Sequence, residues 1–274
     1  MFLEILMLIC GAGLATCGSL SFWPMHNWYD FYIPILLFFG GYFAGLTLIW
    51  IFIWLVGTGV NEKKEYHSIS KWVRWWMING IDYIVDHALI HTTVINRRKM
   101  PKKERFLLVC NHTSVFDSLI ITQKFGLRDI AFITKKDNMH LPLANKLMWR
   151  LCYLPIDRED YLQSLDVMKK ATALAHDNVT SIGVFPEGTR SADGHIANFH
   201  EGVFNIAIKG KLPIVIVTLK NTYDIHRHLP FRFTHVYLDV VGVIPYEEFE
   251  DMPAKKVSDM VHDIMLENLT KQPS

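Results

Sequence analysis

From Phe31 to Gly57 the chain carries no Lys, Arg, Asp or Glu. About 20 apolar residues of α-helix cross the hydrocarbon core of a bilayer, so this stretch is long enough to span it and still tilt. A helix that is apolar on every side has no face to offer water, which leaves a membrane or a deep core as its surroundings. Upstream, Met1 to Leu20 holds a single charge, Glu4, among small residues such as Gly11, Gly13, Ala15 and Gly18. The segment between, Ser21 to Asp30, contains Trp23, Trp28 and Tyr29, residue types that settle at headgroup depth. Together these features predict an N-terminal transmembrane helical hairpin over residues 1–60. The intervening turn has no Lys or Arg, whereas Lys63, Lys64, Lys71 and Arg74 follow the second span. That asymmetry predicts a multi-pass membrane protein with the bulk of the chain on the cytoplasmic side. A cleaved signal peptide fits less well, because the start lacks basic residues and Ala15-Thr16-Cys17 is a poor cleavage site.

Residues 61–89 read as an interfacial amphipathic segment. Lys71-Trp72-Val73-Arg74-Trp75-Trp76 alternates cations with tryptophans, which suits aromatic bodies in the acyl boundary and charges on headgroups. Over the whole chain the balance of 28 basic against 27 acidic residues leaves a net charge of +1. A nucleic-acid partner therefore has no electrostatic support. Cys10, Cys17, Cys110 and Cys152 show no C-x-x-C spacing, which argues against a disulfide scaffold or a zinc site. His226, His228 and His235 lack supporting carboxylate or cysteine spacing and read as solvated loop histidines.

From about residue 90 to 274 short apolar runs alternate with helical periodicity. Strands are expected at His91–Ile95, Phe106–Cys110, Ile130–Thr134, Ser181–Phe185, Pro213–Leu219 and His235–Val243. Helices are expected at Val115–Gln123, Leu143–Leu151, Tyr161–His176, Gly202–Lys209 and Ala254–Lys271. This alternation predicts an α/β catalytic domain with a largely parallel sheet flanked by helices. Ligands in such sheets bind where the chain leaves the carboxyl ends of strands.

Two strings occupy such exits. Asn111-His112-Thr113-Ser114-Val115-Phe116-Asp117 follows one apolar run, and Phe185-Pro186-Glu187-Gly188-Thr189-Arg190 follows another. Neutral imidazole can take a proton from a hydroxyl near neutral pH, and a nearby carboxylate can fix its tautomer and stabilise the imidazolium. A helix starting near Thr113 or Ser114 would turn Asp117 back toward His112, with Ser114 as a cap and Asn111 holding the turn. In the second string Gly188 permits a tight turn, Arg190 offers a planar fork for phosphate oxygens, and Thr189 can join an anion nest. Glu187 would orient Arg190 or accept a hydrogen bond from a substrate hydroxyl. Read from the residues alone, these strings leave a transferase, a hydrolase and a non-catalytic lipid-phosphate-binding protein open.

The pair N-H-x-x-x-x-D and F-P-E-G-T-R, in this order, resembles the glycerolipid acyltransferase family, in particular its bacterial-type 1-acylglycerol-3-phosphate acyltransferases. The resemblance covers roughly residues 90–220 and includes weaker blocks. These are Phe132-Ile133-Thr134-Lys135, Leu154-Pro155-Ile156-Asp157-Arg158 and Leu212-Pro213-Ile214-Val215. It departs at Phe199-His200-Glu201-Gly202, where the family commonly has F-K-x-G, and at Ile216, where a second proline is common. The resemblance implies that His112 and Asp117 are catalytic, and that Lys135, Arg158, Glu187, Gly188, Thr189 and Arg190 position the acceptor phosphate. It implies an acyl thioester donor, on coenzyme A or acyl carrier protein, a lysophospholipid acceptor, and neither metal nor redox cofactor. Lysophosphatidic acid leads as acceptor; the altered Phe199–Gly202 block keeps a larger headgroup open.

Overall fold

The computed structural model describes residues 2–21, 32–62, 64–142, 144–191 and 193–271. The aromatic turn expected after the first span lies outside them, as do Lys63, Leu143 and the last three residues.

Helices α1 (Phe2–Ser21) and α2 (Tyr32–Thr58) run 20 and 27 residues. Both are long and apolar enough to cross a membrane. They pack against each other as a hairpin, and small residues set their distance. A Cβ on Gly41 would lie 2.8 Å from the Cys10 carbonyl oxygen, and one on Gly11 2.8 Å from that of Phe38. Such contacts let two apolar helix backbones approach directly.

Helix α3 (Lys71–His87) begins where Ser70 Oγ accepts the Val73 N–H at 3.3 Å. It runs along the hairpin rather than away from it. The Phe2 and Trp75 rings are 4.9 Å apart, as are Phe52 and Trp76, and farther along the Tyr83 hydroxyl meets Tyr42. The tryptophans of the expected interfacial segment thus face the hairpin in part, while Trp72 and Trp75 stay exposed. Past the end of α3 the hairpin continues, with Gly18 against Leu37.

The remaining chain builds one seven-stranded sheet in the order β1-β7-β6-β2-β5-β3-β4. The strands are β1 (Ile90–Ile95), β2 (Leu107–Cys110), β3 (Ile130–Lys135), β4 (Leu154–Ile156), β5 (Ser181–Val184), β6 (Ile214–Lys220) and β7 (Thr234–Ile244). Every neighbouring pair is parallel except β6 with β7. Every residue of β2 and β5 is buried, as expected of strands covered on both faces. Around the sheet lie α4 (Asp117–Phe125), α5 (Ala144–Arg150), α6 (Tyr161–His176), α7 (Asn205–Gly210), the short α8 (Ile225–His228) and α9 (Ala254–Thr270).

The expected α/β architecture with a largely parallel sheet is present, with informative departures. Leu154-Pro155-Ile156, read from sequence as part of a binding block, is an edge strand. Proline is tolerated there because an edge residue need not donate to a neighbour. Since β7 turns back against β6, β1 runs opposite to β2, and the start of β1 lies on the sheet edge where β2, β5 and β6 end. Helix α4 begins at Asp117 rather than near Thr113 or Ser114, for a reason that belongs to the site.

Candidate active site

Strands β2 and β5 are adjacent and parallel, in register from Leu107 opposite Ile182 to Val109 opposite Val184. Both motifs therefore leave the sheet side by side at its carboxyl edge. His112 Nδ1 lies 2.8 Å from Asp117 Oδ2. The same oxygen accepts the backbone N–H groups of Thr113 at 2.7 Å and Ser114 at 2.8 Å. With Asp117 folding the preceding loop onto itself, helix cannot start earlier. Ser114 does not cap it; its Oγ accepts the Phe116 N–H at 3.3 Å. Asp117 is fully buried, and its Oδ1 has no hydrogen-bond partner among the described residues. A carboxylate oxygen that already takes two backbone N–H groups can only accept, so Nδ1 of His112 donates in this bond, and in the neutral tautomer Nε2 then presents a lone pair.

The imidazole is held by stacking as well. Its ring lies 4.2 Å from that of Phe185 at 20°, and Phe185 stacks in turn on Phe132 at 5.5 Å. The side chain is 20% exposed, so its outer edge is open to a substrate. Asn111 ties β2 to β6 below it: Oδ1 accepts the Leu219 N–H at 2.8 Å and Nδ2 donates to the Leu219 carbonyl at 2.9 Å. Beside it, burial pushes the Cys110 thiol well above its usual value, with Asp117 and Glu187 adding to the rise. This keeps Cys110 a neutral thiol rather than a nucleophile.

Glu187 meets backbone N–H groups with both carboxylate oxygens, where orienting Arg190 was one expectation. It is buried, with Oε1 accepting the His112 N–H at 2.7 Å and Oε2 the Ala197 N–H at 2.9 Å. Burial raises its pKa above the ordinary value, and the two backbone donors partly offset that rise. The His112 carbonyl accepts the Ser191 N–H at 2.8 Å, so Glu187 of the second motif and Ser191 just after it hold His112 by both backbone groups. Gly188 has φ +72°, a left-handed conformation that disfavours side chains, and its N–H donates to the Phe185 carbonyl at 3.0 Å. A Cβ there would lie 2.8 Å from His200 Nε2, 2.7 Å from His200 Cδ2 and 4.0 Å from Arg158 Cζ.

The structure thus brings Arg158 to the turn of Gly188, Thr189 and Arg190, although the two segments are far apart in sequence. Gly188 is half-buried there, and Thr189 and Arg190 are exposed. Lys135 ends β3 on the same edge, but its ammonium pairs with its neighbour Asp137, and Lys136 faces Asp157 at 3.8 Å. Two participants were not expected from sequence. His200 packs over the Gly188 turn, and Thr222 meets Thr113 through a 2.6 Å hydroxyl–hydroxyl bond. His200 stands where a lysine was expected, which was the available signal; Thr222 carried none. His228 and His235 each bond a threonine hydroxyl at 2.8 Å.

Residues 91–220 match the family described as Acyltransferase. A 1-acyl-sn-glycerol-3-phosphate acyltransferase of Limnanthes alba is 30% identical over 170 residues, 61% of this chain and 60% of that protein. The human 1-acyl-sn-glycerol-3-phosphate acyltransferase alpha is 26% identical over 181 residues, 65% of this chain and 63% of the relative. The chain thus spans about 60% of the length of the first relatives it matches. The crystal structure of the 1-acyl-sn-glycerophosphate (LPA) acyltransferase PlsC from Thermotoga maritima superposes with a TM-score of 0.61. It covers 95% of this chain and 98% of that one at 20% identity, a likeness of fold.

Proposed function

We propose, for a chain whose residues 91–220 form a domain of the acyltransferase family, that it moves a fatty acyl group from an acyl thioester to the free hydroxyl of a lysophospholipid. Lysophosphatidic acid is the leading acceptor and phosphatidic acid the product. The observation that carries this reading is the His112 Nδ1 to Asp117 Oδ2 bond beside the Gly188 turn. His112 Nε2 takes the hydroxyl proton as the acceptor oxygen attacks the thioester carbonyl. The imidazolium, steadied by Asp117, returns that proton to the departing thiolate. Acceptor oxygen and carbonyl carbon become bonded, and the carbon–sulfur bond breaks.

Arg158, with Thr189 and Arg190 of the glycine turn, supplies the cationic and N–H-rich surface for the acceptor phosphate, and Lys135 lies on the same edge. Glu187 acts from behind by holding the His112 backbone. The donor is acyl-coenzyme A or acyl carrier protein. The hairpin of α1 and α2 seats the enzyme in the membrane that holds its acceptor, with the sheet on the cytoplasmic side.

The test is full-length protein in vesicles with a labelled acyl thioester and lysophosphatidic acid, beside His112→Ala. Phosphatidic acid made by the parent and lost in the variant is the expected result. Histidine-dependent consumption of the thioester only with a larger-headgroup lysolipid would move the acceptor and keep the chemistry. Free fatty acid as the sole product would replace the transferase with a hydrolase.

A further inference from the structure

Two of the most exposed large apolar side chains are Phe231 at 93% and Phe233 at 73%, on the loop between α8 and β7. Phenylalanine at such exposure leaves apolar area in water that a lone domain gains by covering. Around it the chain is basic: Ile225 to Leu238 contains His226, Arg227, His228, Arg232 and His235 and no Asp or Glu. Arg227 shares a 3.5 Å contact with Asp224, and Arg232 is exposed between the two phenylalanines.

The topology fixes where this loop lies. It follows the carboxyl end of β6, and Thr222 on the way meets Thr113 beside the candidate base, so the loop belongs to the catalytic edge of the sheet. Its end is tied to the end of α3, since the Thr234 N–H donates to the Leu89 carbonyl at 3.0 Å. Helix α3 lies antiparallel along α2, from Trp72 beside Phe52 to Tyr83 beside Tyr42, so its terminus points the way the hairpin continues. The apolar hairpin and the exposed phenylalanines therefore leave the domain on one side.

We propose that the Phe231-Arg232-Phe233 loop is a second membrane contact, its phenyl rings entering the acyl boundary of the leaflet and its cations meeting anionic headgroups. This rests on the membrane seating read above. Aromatic bodies flanked by arginine have the chemistry of an interfacial anchor. With the hairpin on one flank of the catalytic edge and this loop on another, the mouth over His112 faces the lipid surface, and an acceptor enters without crossing bulk water.

Photocrosslinking distinguishes this contact from its premise. p-Benzoylphenylalanine is placed singly at Phe231, Phe233, Leu36 or Leu127 in the full-length protein, in phosphatidylglycerol vesicles. Leu36 is an exposed residue of α2 in the part of the hairpin past the end of α3, and Leu127 is 81% exposed but precedes β3 at the opposite edge of the sheet. Lipid adducts at 231, 233 and 36, at least about tenfold above those at 127, are expected if the loop sits in the interface. Adducts at 36, with 231 and 233 no higher than 127, would overturn the loop contact and leave the membrane seating intact. No adduct at 36 either would overturn the seating and the loop contact together.

Discussion

Replacing Asp117 by Asn tests the site most sharply, because the structure limits how the amide can sit. Three N–H donors, at 2.8, 2.7 and 2.8 Å, converge on Oδ2. The amide oxygen must take that place, since the amide nitrogen there would oppose all three. Nδ1 of His112 thus keeps an acceptor and its tautomer. In serine-hydrolase triads the same change costs about 10⁴ in rate because the tautomer goes wrong. Here the loss reduces to the charge that steadies the imidazolium, the difference between a charged and a neutral hydrogen bond. That is about 1.5–3 kcal/mol against about 0.5–1.5, with further loss of the ion-pair attraction. A turnover 10- to 100-fold below the parent is therefore expected at about 1.4 kcal/mol per decade. His112→Ala should lose more, about 10²–10⁴, as removal of a general base does. The displaced amide nitrogen occupies the buried site of Oδ1, which meets no partner among the described residues, and an N–H group left unpaired there would lower stability by about 1–3 kcal/mol. Turnover is measured with labelled thioester in vesicles at saturating acceptor, and stability by thermal melting of the same samples. Turnover within twofold of the parent would refute Asp117 as the imidazolium's partner; a loss near 10⁴ would refute the retained tautomer.

Gly188→Ala adds a left-handed cost of about 1–2 kcal/mol to the clash with His200, and should lower both acceptor affinity and melting temperature. Adding His200→Ala should restore part of the melting temperature but not all, because φ +72° is unchanged; full restoration would refute the conformational part. Asn111→Ala leaves the Leu219 N–H and carbonyl unpaired in the core, a loss of about 2–4 kcal/mol in chemical denaturation if each buried group costs about 1–2 kcal/mol. For Glu187, burial raises the folded pKa above the unfolded value of about 4.3, so the folded state binds the proton more readily. Its contribution to stability is full below the unfolded value and lost as pH rises through the folded one. The melting-temperature gap between the parent and Glu187→Gln should therefore shift in the parent's favour as pH falls through that window. A shift the other way would reverse the assigned direction.

Strands β2 and β5 were legible because fully buried parallel strands are unbroken apolar runs, and the chemistry attaches at their ends. His112 and Asp117 were legible as a pair for the same reason. What failed to show is physical in each case. Alternation marks β7 as a strand but says nothing of its direction, which depends on how the chain turns after β6. A carboxylate such as Glu187 looks alike whether it meets a ligand or two backbone N–H groups, since burial decides and burial is tertiary. The start of α4 was misplaced because Asp117 competes with the helix for the backbone of Thr113 and Ser114. Phe231 and Phe233 are indistinguishable in sequence from core residues of the following strand.

Glu187 and Ser191 grip the N–H and the carbonyl of His112, and this sets what length changes the chain can absorb. The registration of base against anion turn is carried across space by two backbone clasps, not along the chain that joins them. Segments between the motifs that carry none of the site residues can lengthen or shorten while those clasps keep the two loops in step. A single residue inserted between Glu187 and Ser191 would slip one clasp past the other and turn the imidazole out of line, with every catalytic side chain still present.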